Sequence, residues 1–525
     1  MSLSRLKSSL TFFPNKSWLN PLIFCSIVFA AYEAGQIILA GGLIEFAYVG
    51  ILVACFVGLL AILKDWRRGL YIFLAWILLE DLVRKYLGNN MLIYFAKDIL
   101  ILAVYLAFFG AKRAGDGMRF KPPFRIPFLL FLWWCSFEVF NPASTSIFYG
   151  LMGMKMCFLY FPLIVIGYSL IKSDEDLRRV LLFNAILTLL VTALGLAQSI
   201  IGPSFLNPVR SDDFIALLSN TYRISSEGQA AYRPTSVFVS NGRFQDFLLV
   251  SWPISLGFSA YLFLRHKRGR LVALTTVGTV AIASFMAVSR GVFLYNISSA
   301  AVLIVAFLWG GPRKKLEHHK TMKAILTLAF ASTISVSILI WYFPTDVNSR
   351  VNIYSETLLP SSPTSELHSR SIDYPWSNFM RAFNDHNWVL GYGTGTTSLG
   401  VQYVMKFFKV ARTRNGVESG YGQLVLEVGF VGLLLWIGLS FSIGWTAWQV
   451  VNSLKGTPWF PLAFSIFWFA FLLLIPMAYY SFQAYQDFVM NAYLWFFLGI
   501  LFRLKSFITA KRNPDQEQHS AIVPT

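Results

Sequence analysis

Long apolar runs alternate with short polar connections along most of the chain. A helix needs about 20 mainly apolar residues to cross the hydrocarbon core of a bilayer. The apolar runs predict about fourteen spans, near residues 20–40, 42–63, 69–85, 91–109, 126–141, 148–171, 180–201, 244–264, 271–288, 292–309, 321–343, 421–448, 459–481 and 487–503. We therefore predict an all-α fold, a polytopic membrane helical bundle in which residues 1–525 form a single integral membrane domain.

The composition excludes a water-soluble globule. Hydrophobic residues make up 56% of the chain and charged residues only 13%, whereas soluble domains carry roughly 25% charged residues. The aromatic share of 17% suits the aromatic belts that anchor spans at membrane interfaces. The formal net charge of +18 would indicate nucleic acid in a soluble protein, but the placement of the charges gives another explanation.

The Lys and Arg residues concentrate in every second connection between the predicted spans. These basic connections lie at residues 64–68, 112–125, 172–179, 265–270, 313–320 and at Lys455, and the segments before the first span (Arg5, Lys7, Lys16) and after the last (503–512) are basic as well. Short cytoplasmic loops carry an excess of Lys and Arg, so the alternation predicts a multi-pass protein with both termini cytoplasmic. Most of the positive charge then reflects membrane topology, and we expect no nucleic-acid partner.

Two long segments interrupt the alternation, and the topology predicts that both are extracytoplasmic. The first covers residues 202–243, and the second, larger one covers residues 344–420. Long loops in a compact fold are usually functional or disordered. The polar tail at 512–525 is predicted to be disordered.

The predicted outer loops are rich in arginine. Arg290 lies between two spans in Ser289-Arg290-Gly291, where it either snorkels to lipid headgroups or clamps an anion, because guanidinium binds phosphate bidentately. Further arginines in these loops are Arg210, Arg223, Arg233, Arg243, Arg350, Arg370, Arg381, Arg412 and Arg414. The positive-inside rule does not account for arginines on this side. As a set they favour a phosphate-bearing lipid as ligand.

Other polar features have weaker functional interpretations. The stretch 391–396 (GYGTGT) lacks the lysine of a phosphate-binding P-loop, so we interpret it as a turn that brings backbone amides close to a ligand or to the end of a span. Glu427 precedes Gly429 and Gly432, which favours close helix packing. Charges within spans, such as Lys97 and Asp98, indicate either ion pairs or an ion pathway. The Cys and His residues show no metal-ligand spacing, and we expect neither metal nor cofactor.

Four stretches together resemble the bacterial O-antigen polymerase and ligase superfamily. They are the segment 233–243 (RPTSVFVSNGR), the triplet 289–291 (SRG), the segment 370–395 that ends in LGYGTG, and the segment 418–432 (ESGYGQLVLEVGFVG). Each motif is short, but their order, spacing and common sidedness are similar to those of the superfamily. The resemblance covers mainly residues 230–450.

The resemblance implies a GT-C-like bundle in the bacterial inner membrane, with short helices in the large loop. It implies a metal-independent glycosyltransferase whose donor is a polyprenyl-diphosphate-linked oligosaccharide and whose acceptor is another lipid-linked saccharide. Membrane lipids, a chain-length regulator and a flippase of the same pathway are the candidate partners. The implied catalytic residues are Arg290, Arg370 and Glu418, and the implied substrate-binding residues are Arg233, Arg243, Tyr392, Tyr421 and Glu427.

One departure from the superfamily pattern leaves alternatives open. Ligases carry His-Asn at the place that Glu418-Ser419 occupies here, so a carboxylate would have to act as general base or only hold the acceptor. The change favours a polymerase of oligosaccharide repeats over an O-antigen ligase. A multi-spanning secondary transporter is the alternative from another class, because intramembrane charges are also usual there.

Overall fold

The computed structural model describes residues 43–87, 91–113, 120–208, 221–225, 228–312, 315–359, 361–362, 365–481 and 486–512. The predicted span at 20–40, the tail beyond Arg512 and the loop arginine Arg210 lie outside these residues. Of these described residues 76% are helical, and their strands form one short hairpin. The chain divides into two compact units at Arg119 and Phe120.

The first unit contains three packed helices. They are α1 (Leu43–Lys64), α2 (Trp66–Leu87) and α3 (Met91–Arg113). Charges on α2 and α3 pair inside the unit: Lys97 Nζ lies 2.9 Å from Glu80 Oε1, and Arg84 Nη1 lies 2.9 Å from Asp81 Oδ1. All four side chains are nearly inaccessible to solvent. Lys97 thus has the ion pair that was one of the two roles predicted for charges within spans.

The second unit contains the remaining described helices and the hairpin. In chain order they are α4 (Arg125–Glu138), α5 (Ile147–Phe158), α6 (Leu163–Leu170), α7 (Asp174–Ile201), β1 (Tyr222–Ile224), β2 (Ala230–Tyr232), α8 (Asn241–Arg265), α9 (Arg270–Met286), α10 (Arg290–Gly310), α11 (Lys315–Tyr342), α12 (Pro344–Leu358), α13 (Tyr374–Phe383), α14 (Val401–Phe408), α15 (Gly420–Ser453), α16 (Phe460–Leu474), α17 (Pro476–Tyr480) and α18 (Phe488–Arg512). The segment 344–420 thus contains the short helices α12, α13 and α14, together with a π-helical turn, Ser369–Asp373, directly before α13.

Eight helical stretches within the described residues are long and apolar enough to cross a membrane. They are Ile93–Lys112, Ile147–Leu170, Asp174–Ile201, Asn241–Arg265, Arg290–Gly310, Gly420–Ser453, Phe460–Tyr480 and Phe488–Phe507. The helical class and the membrane-length helices confirm the coarse prediction of a helical membrane protein. A shorter apolar helix, α9, has 17 residues.

The core of the second unit is built around α8 and α18, which are the most buried of these helices. Helix α8 packs against α9, α10, α11 and α16, whereas α18 packs against α6 and α16. Helix α10 is only about one-third buried. It therefore runs along the edge of the packed core, with its first turn next to the hairpin region described below.

Serine side chains begin several of the long helices. Ser173 caps α7, Ser240 caps α8 and Ser419 caps α15, each by accepting a hydrogen bond from a backbone N–H in the first turn. Such caps satisfy donors that have no partner within the helix. Ser289, at the corresponding position of α10, makes no such bond. The N-terminus of α10 is thus left without a side-chain cap.

Candidate functional site

A cavity lies where α9 ends and α10 begins. Val288 adopts a left-handed conformation, with φ of 49°, in the turn between the two helices. It is fully buried against Ala231 of β2 and Ile353 of α12. A β-branched residue with positive φ is strained, so this packing holds the turn in place. Arg290 follows as the first residue of α10.

The hairpin supplies the second wall of the cavity. Arg223 lies on β1 opposite Ala231 of β2, and Arg233 follows β2 directly. The backbone N–H of Arg233 donates to the carbonyl of Thr221, 2.7 Å away. Because the strands have only three residues each, this pairing brings two arginines ten positions apart in the sequence to the same place.

The cavity has a volume of about 560 Å³, within the range typical of small-molecule sites. Four arginines line it, together with two residues of the turn: Arg223, Arg233, Arg290, Arg370, Ser289 and Gly291. Three of the arginines are those that the sequence singled out as anion-binding candidates. Their convergence makes the cavity strongly basic.

One carboxylate, that of Glu366, pairs with two of the arginines. Its Oε2 atom forms an ion pair with Arg290 Nη1 and lies 3.2 Å from Arg370 Nε. The Glu366 side chain is 41% exposed, and that of Arg290 is only 16% exposed. Four guanidinium groups against one carboxylate leave three positive charges unbalanced in this group of five side chains.

The pKa values reflect this crowding of positive charge. Burial lowers the pKa of Arg223 to about 10, and the charges of Arg290 and Arg233 contribute further. Burial also lowers the pKa of Arg233, again with a contribution from Arg290. Burial raises the pKa of Glu366, but hydrogen bonding and charge from Arg290, then Arg370, outweigh burial and hold that pKa below its usual value. An anion in the cavity would relieve the repulsion between the arginines.

A fifth arginine, Arg350 of α12, does not line the cavity but contacts both of its walls. Its side chain is 1% exposed. The guanidinium donates to the carbonyl of Tyr232 at 3.1 Å, to that of Asp346 at 2.9 Å and to that of Met286 at 3.5 Å. Tyr232 directly precedes Arg233, and Met286 ends α9. Arg350 therefore joins the two walls of the cavity, a positioning role that the sequence analysis did not assign to it.

Glu418 lies outside the cavity, but one side chain connects it to Arg370. The guanidinium of Arg370 lies 4.9 Å from the ring centre of Tyr374, and the hydroxyl of Tyr374 donates to Glu418 Oε2. That hydrogen bond and burial raise the pKa of Tyr374. The predicted base and the predicted clamp thus share a tyrosine neighbour, and the Glu418 carboxylate is exposed.

The glycine-rich stretch 391–396 fits into a kink in α15. Gly429 interrupts the helix with φ of 71° and ψ of −177°. The N–H of Tyr392 donates to the carbonyl of Leu426 and the N–H of Gly393 to that of Glu427, both at 2.8 Å. A Cβ atom on Gly391 would lie 2.6 Å from the Glu427 carbonyl oxygen. The loop approaches so closely that only glycine fits there.

Glu427 holds this loop through its carboxylate. It accepts hydrogen bonds from the N–H groups of Gly395 and Thr397, both at 3.2 Å, and from the Thr397 hydroxyl at 3.0 Å. Its side chain is almost completely buried. Glu427 does not line the arginine cavity, and its contacts are with the protein itself. The loop amides thus bind an internal carboxylate. The partner of Glu427 is this loop and not the neighbouring helix that close helix packing would provide.

Three further sequence candidates also have internal partners. The hydroxyl of Tyr392 donates to Asp385 Oδ1 at 2.7 Å, and that of Tyr421 donates to the carbonyl of Leu474 at 3.0 Å. Arg243, in the first turn of α8, lies 3.7 Å from Asp487 Oδ2. None of these three residues lines the arginine cavity, so their substrate-binding roles stay predictions.

The structure adds residues that the sequence analysis missed. Glu366 was not a candidate, because no local pattern shows that it pairs with Arg290, 76 positions earlier. Arg223 and Arg350 were noted only as members of the arginine-rich loops. Within the described residues, no group of three His, Cys, Asp or Glu side chains could hold a metal ion.

Comparison with known proteins supplies no further assignment. The scan against protein-family models and the search of curated proteins found no match to this chain. The functional conclusion therefore rests on the geometry of the site.

Proposed function

We propose that the protein is a polysaccharide polymerase that binds the diphosphate of a lipid-linked oligosaccharide in its arginine cavity. The reaction transfers the polyprenyl-diphosphate-linked oligosaccharide onto a lipid-linked saccharide acceptor. The single observation that carries the proposal is the convergence of Arg223, Arg233, Arg290 and Arg370 on one cavity of about 560 Å³. Guanidinium groups bind phosphate oxygens in bidentate geometry and stay charged at physiological pH.

The N-terminus of α10 adds to the attraction for an anion. The first backbone N–H groups of a helix lack partners within the helix, and the helix dipole favours negative charge there. Ser289 provides no side-chain cap for α10, and both Ser289 and Gly291 line the cavity. Backbone amides and arginines thus favour the same ligand chemistry, a phosphate group.

The position of the cavity supports a site at the outer face. The cavity adjoins the C-terminal end of α9, whereas the basic connection 265–270 leads into its N-terminal end. Under the positive-inside rule the basic connection is cytoplasmic. We therefore place the cavity on the extracytoplasmic side of the bacterial inner membrane, in a GT-C-like bundle of about fourteen spans with both termini cytoplasmic.

The proposed reaction needs charge stabilisation and a base. The bond between the anomeric carbon of the donor and the diphosphate oxygen breaks, and its electron pair leaves with the lipid diphosphate. The acceptor hydroxyl oxygen bonds to the anomeric carbon and gives its proton to a base, for which Glu418 is the candidate. Arg290 and Arg370 stabilise the negative charge that develops on the leaving diphosphate. No metal ion or nucleotide enters this scheme.

Two experiments test the proposal. The first deletes the protein in its host and sizes the lipid-linked and exported glycans. Single lipid-linked repeats would support a polymerase. Long chains left on their carrier would identify a ligase, and unchanged glycans would favour the transporter. The deletion leaves the other expected partners, a chain-length regulator and a flippase, in place in the host.

The second experiment uses the purified full chain in lipid vesicles with polyprenyl-diphosphate-linked oligosaccharide. We expect elongated products in the presence of a chelator and without nucleotide. The matched control for substitutions of the cavity arginines is Arg381→Ala, which removes an exposed arginine of helix α13 that does not line the cavity. Failure of the wild-type protein to elongate this substrate would contradict the proposal.

A further inference from the structure

The carboxylate of Glu366 occupies the place where the proposed function requires a phosphate. It pairs with Arg290 and with Arg370 through the same oxygen, Oε2. These are the two arginines that the proposed reaction assigns to the leaving diphosphate. A carboxylate that contacts two guanidinium groups through one oxygen presents them with the same chemistry as a phosphate oxygen does.

The charges show why an internal anion matters at this site. Without Glu366, four arginines would face one another across the cavity, and Arg223 and Arg233 already repel Arg290. Glu366 offsets one of the four positive charges. A ligand with at least two negative charges can replace this single carboxylate and still gain attraction from the remaining arginines.

The proposed reaction itself raises the charge of the bound group. A saccharide diphosphate lipid is a diester with two ionised oxygens. Cleavage of the sugar–oxygen bond leaves a lipid diphosphate whose terminal phosphate can carry one further negative charge. A basic cavity therefore holds the product more tightly than the donor, and release of the product needs a competing anion.

We propose that Glu366 is an internal competitor for the arginine cavity, which sets its affinity for diphosphates and promotes release of the product diphosphate. The inference rests on the proposed function, because it assigns Glu366 a part in the same cycle. In the free protein the carboxylate pairs with Arg290 and Arg370. When a diphosphate binds, the two guanidinium groups exchange the carboxylate for phosphate oxygens, and they return to Glu366 as the product leaves.

The exposure of Glu366 is consistent with such an exchange. Its side chain is 41% exposed and that of Arg370 is 53% exposed, whereas Arg290 is mostly buried. Ion pairs with exposed members contribute little to folding stability. A ligand can therefore displace Glu366 from the arginines without unfolding the core. Glu427, by contrast, is fully enclosed by its partners and is not free to exchange.

The test measures binding of inorganic pyrophosphate to the purified full chain by titration calorimetry. We compare the wild type with Glu366→Gln and with the control Asp373→Asn. Asp373 lies seven positions after Glu366 and forms an ion pair with His368. Within the described residues it forms none with the cavity arginines, so the control removes one nearby negative charge without touching them. Arg290→Ala reports whether binding occurs in the cavity.

We expect Glu366→Gln to bind pyrophosphate about tenfold more tightly than the wild type, a change equivalent to 1.4 kcal/mol. Asp373→Asn should bind like the wild type. In the elongation assay, Glu366→Gln should slow later turnovers relative to its own first turnover, with stronger inhibition by added lipid diphosphate. If Glu366→Gln misfolds, Glu366→Asp replaces it in the test. Aspartate keeps the negative charge but is one methylene shorter, so we expect an affinity for pyrophosphate between those of the wild type and Glu366→Gln.

The possible failures are distinguishable. In the first case the wild type binds pyrophosphate and Arg290→Ala does not, but Glu366→Gln binds no more tightly than the wild type. The role of Glu366 is then wrong, and the proposed function stands. Equal tightening in Asp373→Asn would also overturn the inference, because the effect would then be general charge. If neither the wild type nor Glu366→Gln binds pyrophosphate, the anion cavity and the inference both fail.

Discussion

The arginine cavity and the glycine loop on α15 use polar groups in opposite ways. In the glycine loop, Glu427 accepts three hydrogen bonds from Gly395 and Thr397, and all of these groups are buried. Four arginines line the cavity, and the carboxylate of Glu366 pairs with two of them, Arg290 and Arg370. Matched, enclosed partners stabilise a fold. An excess of one charge around an open cavity creates affinity for a ligand.

Arg290 and Glu427 differ in the same way. The resemblance assigned a catalytic role to Arg290 and a substrate-binding role to Glu427. Arg290 lines the arginine cavity, whereas Glu427 holds residues 395–397 against α15. We therefore expect the two residues to affect different quantities when they are changed: stability for Glu427 and ligand binding for Arg290.

The largest expected effect is that of Glu427→Ala on stability. The substitution leaves the N–H groups of Gly395 and Thr397 and the Thr397 hydroxyl without their buried acceptor. Each such loss costs roughly 1–3 kcal/mol, so the variant should unfold at a much lower temperature and accumulate poorly. Thermal unfolding of the purified protein checks this. Glu427→Gln, which keeps one acceptor oxygen, is the matched control with a smaller loss. Normal stability together with lost elongation would make Glu427 a reactive residue instead.

The second prediction concerns Arg290→Ala, which should leave folding intact. Elongation should slow by roughly 100- to 1000-fold, because the leaving diphosphate loses one preorganised guanidinium group that stabilises its negative charge. The unfolding temperature should stay close to that of the wild type, because the ion pair with the exposed Glu366 contributes little. Arg290→Lys should retain intermediate activity, since lysine keeps the charge but not the bidentate geometry. Near-normal chain lengths from the alanine variant would refute the clamp.

The third prediction tests Arg350 as a positioning residue between the two walls of the cavity. Arg350→Met removes the donors to the carbonyls of Tyr232 and Met286, so Arg233 and Arg290 lose their fixed spacing. We expect about tenfold weaker pyrophosphate binding, equivalent to 1.4 kcal/mol, measured well below the unfolding temperature. Arg381→Met removes an exposed arginine outside the cavity and should bind normally. Unchanged binding in Arg350→Met would leave Arg350 with a purely structural role.

The smallest expected effect is a pH dependence of binding from Arg223. Its pKa in the free protein is about 10, and Arg290, Arg233, Glu366 and Tyr354 are the charged and titratable groups that act on it. A bound anion raises this pKa, so affinity should fall as pH rises through 10, by roughly two- to fivefold.

Pyrophosphate also loses its last proton in this pH range, so Arg223→Gln is the necessary reference for that measurement. The variant should bind more weakly than the wild type at neutral pH, and the difference between the two should shrink above pH 10. A constant difference across this range would show that Arg223 keeps its proton or does not act on the ligand.

The helical class of the fold was predictable because burial in a bilayer imposes a local requirement on the sequence. Each span needs its own apolar run, and helices such as α8 and α16 follow such runs closely. The arginines of the cavity were partly predictable, since Arg290 and Arg233 stand in recognisable short motifs. Nothing local distinguishes Arg233 from Arg243, but the structure brings only Arg233 to the cavity.

The remaining parts of the site depend on contacts between distant segments. Arg223 reaches the cavity through a hairpin of two three-residue strands, which apolar periodicity does not reveal. The pairing of Glu366 with Arg290 depends on how the segment after α12 returns to the start of α10. The role of Arg350 follows from carbonyl groups 64 and 118 positions away. Such non-local geometry has no signature in a single sequence.

The most direct test of the central claim is an experimental structure of the full chain with a soluble polyprenyl diphosphate, such as farnesyl diphosphate. We predict phosphate density within hydrogen-bond distance of the Arg290 and Arg370 guanidinium groups, with the Glu366 carboxylate displaced from both. Density at the backbone amides of residues 395–397, or a cavity in which Glu366 keeps both arginines while the ligand binds elsewhere, would contradict the account.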